Sequence, residues 1–188
     1  MRCQRPVNPP RVCCGGFTLI ETLVVVLILG VIAAIATVSL SGSRRSVRSG
    51  LCLSNLRQIN SAFRQYAINN KHLLPDPAVS GISWPRAVQP YLSGQLSLNC
   101  PADTEVFPLT GISYDWRDTG EASTTMAGRA IDQGARTTAV LNFESLPGWH
   151  AARKINVARI DGSASTMDET ACFKDLATPV RTIVAPSP

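Results

Sequence analysis

Four groups of residues in this chain combine types and spacings that could do chemistry. At the front, Gly15-Gly16 is followed by Phe17, and Glu21 stands four positions further on, at the start of an apolar run. An ordinary secretory signal carries its cleavage site after the apolar segment, at small residues, whereas here the Gly15-Gly16 pair comes before it. Cutting after Gly16 would make Phe17 a new amino terminus and keep the apolar run on the mature chain. His150 and Asp161 could form an acid–base pair, but no Ser or Cys nucleophile motif accompanies them. A lone histidine beside Trp149 is more often structural. Asp115, Asp118 and Glu121 in "YDWRDTGE" offer oxygen ligands at a spacing that can hold calcium, although such a cluster is more often a solvated loop. Of the six cysteines, Cys3, Cys13 and Cys14 precede the apolar run, and Cys52, Cys100 and Cys172 follow it. A lipoprotein signal would place its cysteine after the run, so Cys13 and Cys14 are misplaced for that route. The three distal cysteines allow one disulfide and one free thiol in an oxidising compartment, with three pairings open.

These residues need elements to position them. From Thr22 to Ser43 there are 22 positions without a charge. As a helix they would measure about 33 Å, enough for a bilayer core. No second run of this kind follows, so the expectation is a single crossing. Glu21 is then anomalous, because an ionised side chain at mid-bilayer costs about 2.5–3.5 kcal/mol. Either a partner offsets that cost, or Glu21 lies at headgroup level. Gly30 weakens the run by about 1 kcal/mol relative to alanine in water, and in a membrane it could allow close helix contact.

Four segments follow. Residues 1–16 are basic, contain three prolines and read as a leader peptide. Residues 17–43 read as the membrane helix. Residues 44–72 read as its amphipathic continuation: Cys52, Leu56, Ile59, Phe63 and Tyr66 recur at helical spacing, while Arg57, Asn60 and Arg64 fall off the stripe. A weak point is expected near Gly42 or Gly50, and Asn69-Asn70 followed by Pro75 should end the helix. Residues 73–188 read as a small β-rich head. "TTAVLNF" (137–143) and "GISYDW" suggest strands, and "SWPRAVQPYL" suggests a short helical turn. In "INVARIDGSAST", Asp161-Gly162 between β-prone flanks suggests a two-residue hairpin. The fold class is therefore α+β: a long N-terminal helix packed on a small antiparallel sheet.

The net charge of +5 does not indicate nucleic-acid binding. Without Arg2, Arg5 and Arg11 of the leader, 15 basic and 13 acidic residues remain, a net of +2. Arg44, Arg45 and Arg48 abut the run and suit a membrane boundary. Three arginines on each side leave orientation undecided by charge.

The stretch "GGFTLIETLVVVLILGVIAAIA" resembles the processing and methylation motif of type IV prepilins and type II secretion pseudopilins. "CLSNLRQI", "YAINNKHLLP", "CPAD", "ISYDW" and "INVARIDG" are similar to a large bacterial prepilin-like family with a C-terminal His-x9-Asp-Gly segment. Here His150, Asp161 and Gly162 occupy that segment, with ten residues between His150 and Asp161 rather than nine. Arg159 stands where relatives usually carry an aromatic.

The resemblance implies a type IV pilin-like fold and a structural role, in which the chain is not an enzyme but the substrate of one. A prepilin peptidase would cut between Gly16 and Phe17 and N-methylate Phe17. Glu21 would serve filament assembly by pairing with the Phe17 ammonium of a neighbouring subunit, since a paired buried charge costs far less than an isolated one. The macrodipole at the start of the helix also favours an anion. A Cys52–Cys100 disulfide would tie head to helix. The implied partners are the peptidase, other pilin or pseudopilin subunits, and membrane lipid before assembly; no specific nucleic acid and no cofactor is implied. The implied place is the bacterial inner membrane, with the head in the periplasm. A type II secretion pseudopilin is the leading reading. The alternatives are a surface pilus subunit for adhesion, motility or DNA uptake, and a membrane-anchored ligand-binding or enzymatic domain using His150 and the acidic loop.

Replacing Gly16 with alanine puts a side chain beside the scissile bond. Gly16→Ala should accumulate at full length in the membrane, whereas the wild type should lose residues 1–16 and gain a methyl group. Intact-mass measurement reads both, and normal processing of the variant would refute the cut site.

Overall fold

The structure is a computed structural model that describes residues 18–92, 98–131 and 136–180, with side chains at all of these except 36–41. Backbone proximity divides the chain into two compact units, Met1–Gly42 and Ser43–Pro188. The elements in chain order are helix α1 (Leu19–Asn69), short helices α2 (Pro77–Ser80) and α3 (Trp84–Val88), a 3-10 turn (Gln89–Tyr91), and helix α4 (Phe107–Thr110). Strands β1 (Tyr114–Trp116), β2 (Val140–Glu144), β3 (Lys154–Arg159) and β4 (Ala164–Asp168) follow, and helix α5 (Glu169–Leu176) closes the series. The result is mixed α+β, a helix packed on a four-stranded antiparallel sheet.

In the first unit, the helix presents a surface of exposed apolar side chains, from Leu19 (83% exposed) to Ile35 (68%). Side chains of the uncharged run are described as far as Ile35. Among the described residues, no helix is long and apolar enough to cross a membrane. The expected weak points are absent as breaks: α1 is helical through Gly30, Gly42 and Gly50. A Cβ added at any of the three would meet nothing within 4 Å.

In the second unit, the sheet is a meander in the order β1-β2-β3-β4, with helices on both faces. One face packs on α1 residues Cys52, Leu56, Ile59, Ala62, Phe63 and Ala67, all at most 1% exposed. Phe63 stacks between Trp84 and Trp116, with ring centroids 5.5 and 5.0 Å away. Aromatic pairs at such separations add about 0.5–1.5 kcal/mol each beyond their burial. The other face holds Val140, Ile155 and Val157 with Cys172 of α5. Strand β3 obeys the two-residue period, turning Ile155 and Val157 toward α5 and Ala158 toward α1. Strand β2 breaks it. Its register shifts between Val140 and Asn142, so Leu141 and Asn142 both face α1 while Val140 and Phe143 face α5. A bulge of this kind inserts one residue and re-aims those after it.

Three sequence expectations change here. Asn60 is not off the packed face: it is 1% exposed and donates from Nδ2 to Asn142 Oδ1 (3.2 Å) and to the Arg159 carbonyl (2.8 Å). Asn142 Nδ2 in turn donates to the Leu56 carbonyl at 3.0 Å. Hydropathy places asparagine outside, but a carboxamide whose bonds are made can be buried at little net cost. The hairpin at Asp161-Gly162 is a three-residue loop rather than two. Gly162 N–H donates to the Arg159 carbonyl, Arg159 N–H donates to the Ser163 carbonyl, both at 2.8 Å, and Gly162 sits at φ +90°. That is a type I turn followed by a glycine bulge, which needs glycine third rather than second. The strand expected at 137–143 begins only at Val140, because Thr137 and Thr138 belong to a turn closed by Ala139 N–H on the Arg136 carbonyl. Helix α1 ends at Asn69 without a glycine: Lys71 takes φ +55° and His72 N–H reaches the Ala67 carbonyl at 2.8 Å.

Arg117 joins the end of β1 to α5 from a fully buried position. Its guanidinium donates to Asp175 Oδ1 (2.8 Å) and to the carbonyls of Thr124, Val140, Asp175, Leu176 and Thr178. Burial pushes the Asp175 carboxyl up, but the Val140 N–H, Arg136 and Arg117 outweigh it and hold it below the usual carboxylate range. Its contribution is therefore complete above the unfolded value of about 4 and lost as pH falls through the lower folded value. Asp175→Ala leaves Arg117 without its counter-charge and should cost about 3 kcal/mol at pH 7. Urea unfolding followed by tryptophan fluorescence should show that gap, and should show it shrinking in acid.

Candidate functional site

The first candidate region is the start of α1. Gly16 and Phe17 lie outside the described residues, as do the leader and Cys3, Cys13 and Cys14. Thr18 and Glu21 are described, and they form a reciprocal cap. Thr18 N–H and Oγ1 both donate to Glu21 Oε2 at 2.9 Å, while Glu21 N–H donates to Thr18 Oγ1 at 3.3 Å. The T-x-x-E spacing is the capping-box signature, and it satisfies two of the helix's otherwise unpaired donors. Glu21 Oε1 takes no part in this box. The carboxylate thus has a local role in starting the helix, and the sequence reading did not include it.

The second region is buried in the head. Cys52 on α1 and Cys100 form a disulfide with Cα atoms 5.6 Å apart. Cys172 is a free, buried thiol, pushed up to about 11 by burial and by the nearby Asp175, and so poorly reactive. The loop before β1 is built to hold Cys100. Asp103 Oδ1 accepts the N–H groups of Glu105 and Val106, and Oδ2 accepts the Phe107 N–H and the Ser113 hydroxyl. Ser113 Oγ then accepts the Cys100 N–H at 2.9 Å. Burial raises Asp103, but Ser113 and the three N–H groups outweigh it and leave its carboxyl lowered. The "CPAD" stretch is therefore a structural clamp on Cys100.

Glu144 and His150 lie against this bridge. His150 Nε2 is 3.0 Å from Glu144 Oε1 and 3.3 Å from Cys100 Sγ. Glu144 is 1% exposed and His150 6%. Glu144 Oε2 also accepts the Asn156 N–H, and Oε1 accepts Asn156 Nδ2, both at 3.0 Å. Asn156 Oδ1 accepts the Thr166 hydroxyl at 2.6 Å, which orients the amide. Among the described residues, the Cys, His and carboxylate ligand atoms of Cys52, Cys100, Glu144 and His150 gather within 4.8 Å of one another.

The pairing of His150 with Asp161 is not what the fold makes. Asp161 sits in the hairpin loop, where Oδ1 accepts the Ser163 N–H at 2.8 Å, and His150 turns to Glu144 instead. Sequence reasoning missed Glu144 and Asn156. The one available signal was polarity inside a strand: Asn142 and Glu144 alternate in "VLNFE", which demands a polar partner on that face. The acidic loop residues serve separate local bonds. Asp115 accepts the Trp116 N–H, Asp118 the Thr125 hydroxyl and Glu121 the Ser123 hydroxyl.

Residues 11–37 match the model of the prokaryotic N-terminal methylation motif, which is consistent with a type IV prepilin-like protein. Neither curated proteins nor solved structures yield a match.

Protein handled in air with a chelator and digested without reduction should yield one linked peptide pair, Cys52 with Cys100. Cys172 should be alkylated only after unfolding. A linked peptide containing Cys172 would overturn the assignment.

Proposed function

We propose that this chain is the precursor of a structural, non-enzymatic subunit of a type IV pilin-like filament, of the type II secretion pseudopilin kind. Processing by prepilin peptidase leaves Phe17 first and Glu21 fifth in the mature subunit. The subunit is held in the inner membrane with its head in the periplasm until it joins other pilin or pseudopilin subunits. The observation that carries this reading is the methylation motif over 11–37. Two features support it. The apolar side chains of α1 from Leu19 to Ile35 are uncovered, and a surface of that kind needs lipid or a neighbouring helix against it. Glu21 keeps Oε1 outside its capping box, so one oxygen can receive a neighbour's Phe17 ammonium while the other caps its own helix.

The substitutions at Glu21 separate these two roles. Glutamine keeps a capping side chain at the third helical position but carries no charge. Glu21→Gln and Glu21→Val should both be inserted and processed normally, yet should enter filaments at least about 100-fold less well, as expected for an unpartnered ammonium in an apolar core. Glu21→Asp should be intermediate, because the charge is kept and the reach shortened. Intact mass follows processing, and crosslinking of sheared filaments follows incorporation. If Glu21→Gln assembles like wild type, Glu21 acts only as a cap.

A further inference from the structure

We infer that Cys52, Cys100, Glu144 and His150 form a binding site for a zinc-class divalent metal ion whenever the Cys52–Cys100 bridge is reduced. The donor set is two sulfurs, one imidazole nitrogen and one carboxylate oxygen, which suits zinc and cobalt and excludes calcium and magnesium. All four residues are at most 6% exposed. In a tetrahedral zinc site, with bonds of roughly 2.0 Å to N or O and 2.3 Å to S, neighbouring ligand atoms stand about 3.3–3.8 Å apart. The structure already places His150 Nε2 at 3.0 Å from Glu144 Oε1 and 3.3 Å from Cys100 Sγ, and Cys100 Sγ at 3.9 Å from that same oxygen. Breaking the bridge frees the sulfurs to separate to the same range, and the four ligand atoms already lie within 4.8 Å of one another.

The surroundings favour a cation there. Glu144 is a carboxylate at 1% exposure whose one ionic partner among the described residues is His150. A divalent ion would give this buried carboxyl group a second ionic partner. Asn156 holds Glu144 through two bonds and is itself oriented by Thr166, the kind of support that fixes a ligating carboxylate. Among the described residues, His150 Nδ1 has no hydrogen-bond partner. The ring can therefore carry its proton on Nδ1, and present the Nε2 lone pair, without breaking a bond on its far side.

The exchange balances. A dithiol reductant gives two electrons and two protons to the bridge and becomes a disulfide, leaving two thiols. The metal ion then displaces the two thiol protons to solvent and binds both thiolates, while neutral His150 binds through the Nε2 lone pair with its proton on Nδ1. Either state ties α1 to the loop before β1, so the head keeps its cross-link in oxidising and reducing conditions alike.

The test uses the full chain in detergent, reduced with dithiothreitol, desalted under argon and titrated with Co²⁺. Reduced wild type should take up about one equivalent with the thiolate charge-transfer band and visible spectrum of a tetrahedral site. The air-oxidised protein should take up none. Cys172→Ser should bind like wild type, Cys52→Ser should lose the charge-transfer band, and Asn156→Ala should bind about 10–100-fold more weakly. The redox comparison leaves Cys52 and Cys100 intact, so misfolding of Cys52→Ser cannot rescue the inference, and a chain with Cys3→Ser, Cys13→Ser and Cys14→Ser, which should bind like wild type, removes the leader thiols from the count. Reduced wild type without a bound equivalent, or oxidised protein that binds as much, would overturn it. The site does not rest on the filament reading, and its failure would leave the Glu21 experiment unaffected.

Discussion

One face of α1, from Cys52 to Ala67, lies on the sheet, and most of the head's structure depends on that contact. Apolar burial supplies the driving force, but it is non-directional and would tolerate sliding. The Asn60–Asn142 pair supplies register. Asn60 reaches Asn142 and the Arg159 carbonyl, and Asn142 reaches back to the Leu56 carbonyl. A slip of one turn would leave several buried polar groups unpaired, at about 1–3 kcal/mol each. Asn142 can face the helix only because β2 is bulged beside it, so the bulge, the carboxamides and the helix position form one constraint.

That constraint also assembles the polar cluster. With the helix held in register, Cys52 comes opposite the loop clamped by Asp103 and Ser113, and Cys100 meets it there. Glu144 lies two residues beyond Asn142 on the same face of β2, so the register that pairs Asn142 with α1 also turns Glu144 toward the bridge. His150 arrives from the following loop. A structural fastening and a set of metal donors thus occupy one place, and the oxidation state of two sulfurs decides which of them operates.

At the other end of the chain, Glu21 faces a different demand. A helix that begins in an apolar environment has four N–H groups with no partner along the chain. The box with Thr18 answers part of that need from within the chain. The second oxygen of the same carboxylate takes no part in that box. Under the proposed filament reading, helix initiation and subunit addition would make compatible claims on one side chain, which would give a physical reason for an acid at the edge of an uncharged run.

Much of this was legible in the residues alone, where the physics is local. The uncharged run, the stripe from Cys52 to Phe63 and the strand at "ISYDW" follow from spacings within a few residues of one another, and the T-x-x-E box, which the reading of the sequence passed over, is equally local. The motif at 11–37 is local in the same way. What tertiary structure decided involves residues far apart in the chain. Asn60 reads as an outside residue until Asn142 stands opposite it. His150 could pair with Asp161 or be merely structural until the fold sets Glu144 against it. Cys52, Cys100, Glu144 and His150 have no common spacing, because a helix, a loop, a strand and a second loop each contribute one. Periodicity reports which face of an element is apolar. Only packing sets what that face meets, since the hydrogen bonds that select a partner are made between elements and not within them.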